Sequence, residues 1–386
     1  MERMIRMRAK EILGKLQLHG RTFYDEEKQA LFFNWTCSGF TAVFSGSVLK
    51  ARFTAMGDKG PAFPGFPEPA PDYPCFGVIP DGGELSGRAE VREEEGEYTL
   101  FQGEAGTHTL RVVKLSENAR GKLGLLALET DGEFLAAPKN DKPVIEVVGD
   151  SITCGFGNEA ENGSFEFRTG EENGWMSYAA LAARELGCEW SLVCESGICA
   201  GQPEKAFIPH YAMDDIYAYT DAPYAYRQGR EPEAWDFAGH PSDIVVIDLG
   251  TNDATPMRFS PDPFVIDGME EHFQKKFRGL VEQIRRLNGK ETLIVCSLGS
   301  MDYFLYDRIE AAVREYRADT GDERIFAFKY LPINNMSEGV GAAGHPSMKT
   351  HLKMSEGVGA AGHPSMKTHL RMGRELAFRL RPYLKK

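Results

Sequence analysis

A serine directly follows an apolar run of the chain, and this serine is the first candidate for chemistry. Residues 144–148 are mostly β-branched and read as a buried strand of a parallel sheet, which breaks at Gly149-Asp150-Ser151. A serine at such a turn exposes its hydroxyl, and the N–H groups of the turn point toward an incoming oxyanion. Ser151 is therefore predicted to be the nucleophile of a hydrolase.

Three further blocks could supply the other groups that acyl transfer needs, which are a base and donors for the oxyanion. The N–H of Ser151, the N–H of Gly197 and the side-chain amide of Asn252 are the candidate donors. Glycine lets the backbone approach a substrate closely, and an asparagine amide donates without competing for the proton. A histidine in a Gly-His-Pro-Ser block near the C-terminus is the candidate base.

Each of these residues has a structural alternative. Gly197 could simply end a strand, and Asn252 could hold its own loop through an Asx-turn. Asp150 and Asp253 are expected to brace their turns by accepting backbone hydrogen bonds, and not to act on substrate. The other histidines lack the spacing of metal ligands, so we expect no metal and no other cofactor.

The block that carries the candidate base is present twice. Residues 336–352 recur without change as residues 354–370, so His345 and His363 are equivalent. We favour His363, because it directly precedes a predicted amphipathic helix, whereas a helix begun at His345 would soon meet several glycines. The first copy would then be an inserted surface loop, which costs little closure entropy. His345 remains the alternative, because it is nearer to the last predicted strand.

The elements that must position these residues fall into two regions. Residues 1–137 contain short β-branched and aromatic runs separated by turn residues, the pattern of a β-sandwich or jelly roll. Residues 143–386 alternate strands with helices, the pattern of a parallel sheet with helices on both faces. The predicted strands are residues 144–148, 190–195, 243–249, 292–298 and 325–331. Ligands bind beyond the carboxyl ends of such strands, where Ser151 would lie.

Four other segments carry predictions of their own. Apolar residues spaced by three and four predict helices at residues 273–287 and 366–384. Residues 63–80 are rich in proline and are predicted to form a loop. Residues 202–241 form an insertion with eight aromatic side chains, which could either stack on sugar rings or pack within a lid or against another subunit.

The composition limits the partners. A net charge of −13 at pH 7 disfavours nucleic acid and anionic membranes, and a neutral substrate such as a sugar fits better. The seven cysteines are scattered and are expected to be reduced thiols of a cytoplasmic protein. No 18-residue apolar segment and no signal-peptide core is seen, so we expect no membrane span. The sequence leaves the oligomeric state open, with a homo-oligomer among the alternatives.

The ordered blocks GDSITCGFGNE, ESG, GTND and HPSMKTH resemble the SGNH (GDSL) hydrolase superfamily. With an all-β region in front, the chain resembles carbohydrate esterase family 2 over nearly its whole length. The resemblance implies an α/β three-layer SGNH domain with a five-stranded parallel sheet, preceded by a jelly-roll domain. It also implies a serine esterase that removes O-acetyl groups from acetylated xylan, xylo-oligosaccharides or related sugars through an acetyl-enzyme. The alternatives are a broad GDSL lipase or thioesterase, and a carbohydrate-binding protein with an inactive hydrolase domain.

The chain departs from the superfamily at one place. Many SGNH enzymes carry an acid three residues before the histidine, where this chain has Ala342 and Ala360. In a serine protease, a base held in the wrong tautomer lowers the rate by about 10⁴, so another group must accept the Nδ1 proton. We therefore expect a Ser–His dyad in which a backbone carbonyl accepts that proton.

Overall fold

The computed structural model describes residues 4–59, 71–160, 168–202, 211–258, 260–332 and 365–384. The chain divides into two compact units. One, which we call the β unit, consists of Met1–Asp141 and Arg168–Trp175, and the other, the α/β unit, consists of Lys142–Phe167 and Met176–Lys386. Residues 168–175 pack with the β unit, although the boundaries predicted from sequence, 1–137 and 143–386, place them in the second domain.

The described part of the β unit contains a sheet of ten antiparallel strands and a short helix, α1 (Ala9–Ile12). The strands are β1 (Ile5–Arg8), β2 (Gln17–His19), β3 (Phe23–Asp25), β4 (Ala30–Phe32), β5 (Gly39–Met56), β6 (Cys75–Pro80), β7 (Gly87–Glu90), β8 (Glu95–Lys114), β9 (Lys122–Thr130) and β10 (Glu133–Leu135). Their order is β3-β4-β9-β5-β8-β6-β7, with β1 beside β9, and β2 and β10 beside β5. The predicted all-β region is confirmed.

The two longest strands, β5 and β8, pair with each other on both sides of a bend. Residues 39–45 of β5 also pair with β2 and β10, whereas residues 49–56 pair with β9. The change occurs at Gly46, which has a φ of 152° and lies opposite Gly106. A Cβ atom at Gly46 would collide with Asp131 Oδ1, and its positive φ is one that other residues rarely adopt, so the bend requires glycine. What reads in sequence as two short strands on either side of Gly46 is one bent strand.

The core of the β unit is aromatic, and one of its strands contradicts a prediction. Its buried phenylalanines include Phe33, Phe40, Phe44, Phe53 and Phe76. Phe76 belongs to β6, which lies within the segment predicted to be a loop. Strand β6 pairs with β7 and β8, and Pro80 is its last residue. Proline at a strand end removes no interior hydrogen bond, which is why Pro80 is compatible with β6. The loop prediction is therefore wrong for residues 75–80, whereas residues 63–70 lie outside the described part of the chain.

The α/β unit contains a parallel sheet of five strands in the order β12-β11-β13-β14-β15. The strands are β11 (Val144–Gly149), β12 (Glu189–Cys194), β13 (Ile244–Asp248), β14 (Leu293–Gly299) and β15 (Ile325–Tyr330). Every residue of β12, β13 and β14 is buried, as expected of a sheet covered on both faces. All five predicted strands are confirmed.

Eight helices of the α/β unit lie within the described residues. They are α2 (Ser151–Cys154), α3 (Tyr178–Leu186), α4 (Met213–Ile216), α5 (Ala222–Arg227), α6 (Thr251–Arg258), α7 (Pro263–Asn288), α8 (Tyr306–Thr320) and α9 (Met366–Leu380). Helix α7 begins earlier than predicted, because Asp262 caps it by accepting the N–H of Phe264 at 2.9 Å. Both predicted helices are present, and α9 begins at the predicted residue.

None of the described helices is both long and apolar enough to cross a membrane. The seven cysteines all lie among the described residues, and they are buried thiols rather than disulfides.

Candidate active site

The strand order brings the loops of three predicted site residues to one edge of the sheet. Strand β11 lies between β12 and β13. Ser151 follows β11, Gly197 follows β12 and Asn252 follows β13, each within a few residues of the strand end. Because the three strands are parallel, these residues lie beyond the same, carboxyl edge of the sheet.

The turn that carries Ser151 is a strand end joined directly to a one-turn helix. Asp150 is the N-cap of α2, and its Oδ1 accepts the N–H of Ile152 at 2.9 Å. Gly155 ends the helix with a φ of 78°. Ser151 is the first helical residue and is 6% exposed. The strand and the cap thus hold the backbone of the serine on both sides.

The amide of Asn252 ties the three loops together. Its Nδ2 donates to the backbone oxygen of Ile198 at 3.0 Å, and it lies 3.4 Å from Asp150 Oδ2. The 3.4 Å separation from Asp150 Oδ2 is at the long end of the hydrogen-bond range, so Asn252 Nδ2 could instead donate to an oxyanion. Gly197 has a φ of 83°, which favours glycine, and a Cβ atom there would meet nothing within 4 Å.

Asp253 accepts backbone hydrogen bonds, as predicted, but they come from the loop that follows β12 and not only from its own turn. Both of its carboxylate oxygens lie 3.2 Å from the backbone nitrogen of Ala200, which donates to them. Full burial raises the pKa of Asp253 to about 7. The carboxyl group therefore holds a turn and is not turned toward solvent.

A buried polar network that was not predicted from the sequence lies beneath the nucleophile turn. The hydroxyl of Tyr178 donates to Asp248 Oδ2 at 2.7 Å and lies 3.0 Å from Thr153 Oγ1. Burial raises the pKa of Asp248 to about 6. Burial and the neighbouring Asp248 together raise the pKa of Asp150 well above its usual range. An aspartate within an otherwise apolar strand was the signal in the sequence that could have revealed the network.

Both candidate bases, His363 and His345, lie outside the described residues. The structure does describe the end of the second copy of the repeat, which forms the first turn of helix α9. His369 lies in its first turn, fully buried, and its Nδ1 accepts the backbone N–H of Tyr178 at 3.0 Å. His369 is thus part of the packing between α9 and α3 and is not placed to act on a substrate.

The described part of the aromatic insertion is mainly packed. Tyr217 and Tyr224 are buried, whereas Tyr226 is 44% exposed. Tyr211 packs against Tyr226 with ring centres 5.9 Å apart, and its hydroxyl donates to Glu195 Oε1 at 2.7 Å. Because Glu195 directly follows β12, this pair connects the insertion to the loop that carries Gly197. Phe207 lies outside the described residues.

Two family models match the chain. Residues 18–138 match the N-terminal region of carbohydrate esterase 2. Residues 147–351, more than half of the chain, match the GDSL-like lipase/acylhydrolase family. The two matches divide the chain near the same place as the two compact units do.

Two curated relatives carry names that indicate esterases. The chain is similar to the cellulase/esterase CelE from Acetivibrio thermocellus, with 33% identity over 282 residues, which is 72% of this chain and 32% of CelE. It is also similar to an acetylxylan esterase / glucomannan deacetylase from Cellvibrio japonicus, with 31% identity over 158 residues, covering 39% of this chain and 41% of that protein. The chain therefore spans well under half the length of these relatives.

Solved structures share the fold over nearly all of the chain. One is a family two carbohydrate esterase from Clostridium thermocellum in complex with cellohexaose, with 25% identity, a TM-score of 0.75, and coverage of 96% of this chain and 100% of that chain. Another is an acetyl xylan esterase from the rumen bacterium Butyrivibrio proteoclasticus, with 19% identity, a TM-score of 0.79 and 98% coverage of both chains. At 19% identity, the second match shows the fold alone.

Proposed function

The chain belongs to the GDSL-like lipase/acylhydrolase family and, within it, to carbohydrate esterase family 2, and from this premise we propose that it is a serine esterase that removes O-acetyl groups from acetylated sugars. The observation that carries the proposal is the Asn252 amide, which joins the Ser151 turn and the Gly197 loop at one edge of the sheet. This arrangement offers a nucleophile and several N–H donors within one small region, as acyl transfer requires.

In the proposed mechanism, Ser151 Oγ attacks the acetyl carbonyl while the histidine takes its proton. The N–H groups of Ser151 and Gly197 and the side-chain amide of Asn252 donate hydrogen bonds to the oxyanion that forms. The intermediate then collapses, and the histidine returns the proton to the departing sugar oxygen. A water that gives its proton to the same histidine attacks the acetyl-serine and releases acetate.

We propose His363 as the base, with His345 as the alternative. The support comes from the last residues of the second copy of the repeat. Thr368 and His369 are fully buried at the start of α9, so the second copy contributes to the packed fold. His363 precedes the N-cap residue of that helix, Ser365, by two positions.

The proposed substrates are acetylated xylan, xylo-oligosaccharides or related polysaccharides. A relative named acetylxylan esterase / glucomannan deacetylase and a related structure with bound cellohexaose support a carbohydrate substrate. A role in xylan degradation and a cytoplasmic location remain predictions, and a homo-oligomer remains one alternative for the oligomeric state. Among the described residues of the insertion, Tyr226 is an exposed aromatic residue on which a sugar ring could stack.

The decisive experiment measures acetate released from acetylated xylo-oligosaccharides by the wild type, Ser151→Ala and the control Ser260→Ala. We expect Ser151→Ala to lose activity by about 10⁴-fold or more and the control to match the wild type. Aryl esters of increasing acyl length separate the enzyme classes, because equal rates from acetate to octanoate would favour a broad lipase or thioesterase. Binding of the oligosaccharide without acetate release would favour an inactive carbohydrate-binding protein.

A further inference from the structure

Tyr178 contacts the two helices on whose relative position the proposed reaction depends, α2 and α9. It is the first residue of α3, follows the capping residue Ser177 and is fully buried. Its hydroxyl reaches helix α2, which carries Ser151, and its backbone N–H reaches helix α9, which follows His363.

The contact with α2 passes through a chain of hydroxyl groups. The Tyr178 hydroxyl has one proton, which it donates to Asp248 Oδ2 at 2.7 Å. The Thr153 hydroxyl, 3.0 Å away, is then the donor to the Tyr178 oxygen. Thr153 lies two residues after Ser151 in the same one-turn helix, so this chain connects the end of strand β13 to the nucleophile helix.

The contact with α9 satisfies a group that every helix leaves without an intrahelical partner. The N–H at the first position of α3 needs an acceptor from outside the helix. His369 Nδ1 provides it at 3.0 Å, and the two rings lie nearly parallel at 10°. His369 is six residues after His363, in the first turn of α9.

We propose that Tyr178 is a positioning residue that sets the nucleophile helix relative to the helix that follows the base. The proposal rests on the proposed function, because it concerns the reaction of Ser151. Tyr178 itself touches neither substrate nor reacting atoms. Its hydroxyl restrains the helix of Ser151 from beneath, so losing it lets the nucleophile shift while substrate contacts stay in place. A displacement of the order of 1 Å lowers a rate by about 10²-fold.

The test compares Tyr178→Phe with Tyr217→Phe. Tyr217 is a matched control, because it is also fully buried and its hydroxyl also has two partners, Glu146 Oε1 at 2.7 Å and Asn288 Nδ2 at 2.7 Å. We expect Tyr178→Phe to lower kcat by about 10- to 100-fold with KM changed less than about threefold, and Tyr217→Phe to keep kcat within about twofold. Equal effects of the two variants on kcat would reduce Tyr178 to an ordinary buried residue and overturn the proposal.

A second pair of variants tests the same hydrogen bond by changing its other partner, Thr153. Thr153→Val removes the hydroxyl at nearly constant volume, and Thr153→Ser keeps it. We expect Thr153→Val to reproduce the loss in kcat, Thr153→Ser to restore most of it, and the double variant with Tyr178→Phe to be no worse than the single variants. If Tyr178→Phe does not fold, this pair decides the matter, and a Thr153→Val variant with wild-type kcat overturns the proposal.

A probe that needs no sugar distinguishes failure of the inference from failure of the proposed function. The rate at which a fluorophosphonate labels Ser151 reports the reactivity of the activated serine without any contribution from sugar binding. A wild type that labels but releases no acetate would refute the proposed substrate and leave the Tyr178 comparison measurable by labelling. Labelling of Tyr178→Phe at the wild-type rate overturns the inference. A wild type that neither labels nor releases acetate overturns both the inference and the proposed function.

Discussion

The imidazole of His369 accepts the backbone N–H of Tyr178 at 3.0 Å, so a histidine of the second repeat copy completes the first turn of helix α3. His351 is the equivalent residue of the first copy. Only one histidine can occupy this position, and it is the one from the second copy. The bond therefore distinguishes two segments whose sequences are identical.

The first prediction concerns stability. His369→Ala removes a fully buried ring and leaves the N–H of Tyr178 without its acceptor. We expect the free energy of unfolding to fall by about 3 kcal/mol, measured by urea denaturation. His351→Ala is the matched control and should change it by less than about 0.5 kcal/mol. Equal losses would mean that the first copy is also packed.

The second prediction concerns the base. His363→Ala should lower kcat by about 10⁴-fold or more, whereas His345→Ala should stay near the wild type. Full activity in His363→Ala would transfer the role to His345. Deleting residues 336–353 leaves one intact copy, which continues into α9, so this variant should also remain active. Acetate release measures all three variants.

The third prediction concerns the oxyanion loop. Gly197 has a φ of 83°, and a Cβ atom there would meet nothing within 4 Å, so alanine adds only backbone strain of about 1–2 kcal/mol. Gly187, at the end of α3, has a φ of 70° and equally open space, which makes Gly187→Ala the control. Both variants should lose similar stability. Only Gly197→Ala should lose about 100-fold in kcat, because its N–H moves away from the oxyanion.

The fourth prediction concerns the pH dependence of stability. Burial raises the pKa of Asp248 to about 6, above its ordinary value of 3.8. The folded state therefore holds a proton that the unfolded state releases, and this contribution to stability is lost as the pH rises from about 4 through 6. Asp248→Asn keeps an acceptor for Tyr178 and removes the titration.

The measurement is the difference in unfolding free energy between wild type and Asp248→Asn at pH 5 and at pH 8. We expect the wild type to lose about 1 kcal/mol relative to the variant over this range. A difference that stays constant, or one that changes with the opposite sign, would show that the carboxyl group is already charged at pH 5.

Much of the α/β unit could be predicted because its signals are local. Apolar strands that alternate with amphipathic helices mark all five strands of the sheet, and the break after β11 marks the turn of Ser151. The β unit was harder. Strand β5 bends at Gly46, and a glycine within such a run predicts the end of a strand. Strand β6 lies at the end of a proline-rich segment, whose composition predicts a loop.

The sequence by itself determined the order of the strands along the chain, the candidate residues Ser151, Gly197 and Asn252, and the presence of two equivalent histidine blocks. Only the tertiary structure decided which strands are neighbours, that the end of the second repeat copy packs against α3, and that Tyr178 links Asp248, Thr153 and His369. Tyr178 is 70 residues from Asp248 and 191 from His369 along the chain. Periodicity records which face of an element is buried, but it carries no information about which buried polar groups meet, because that depends on how the elements pack.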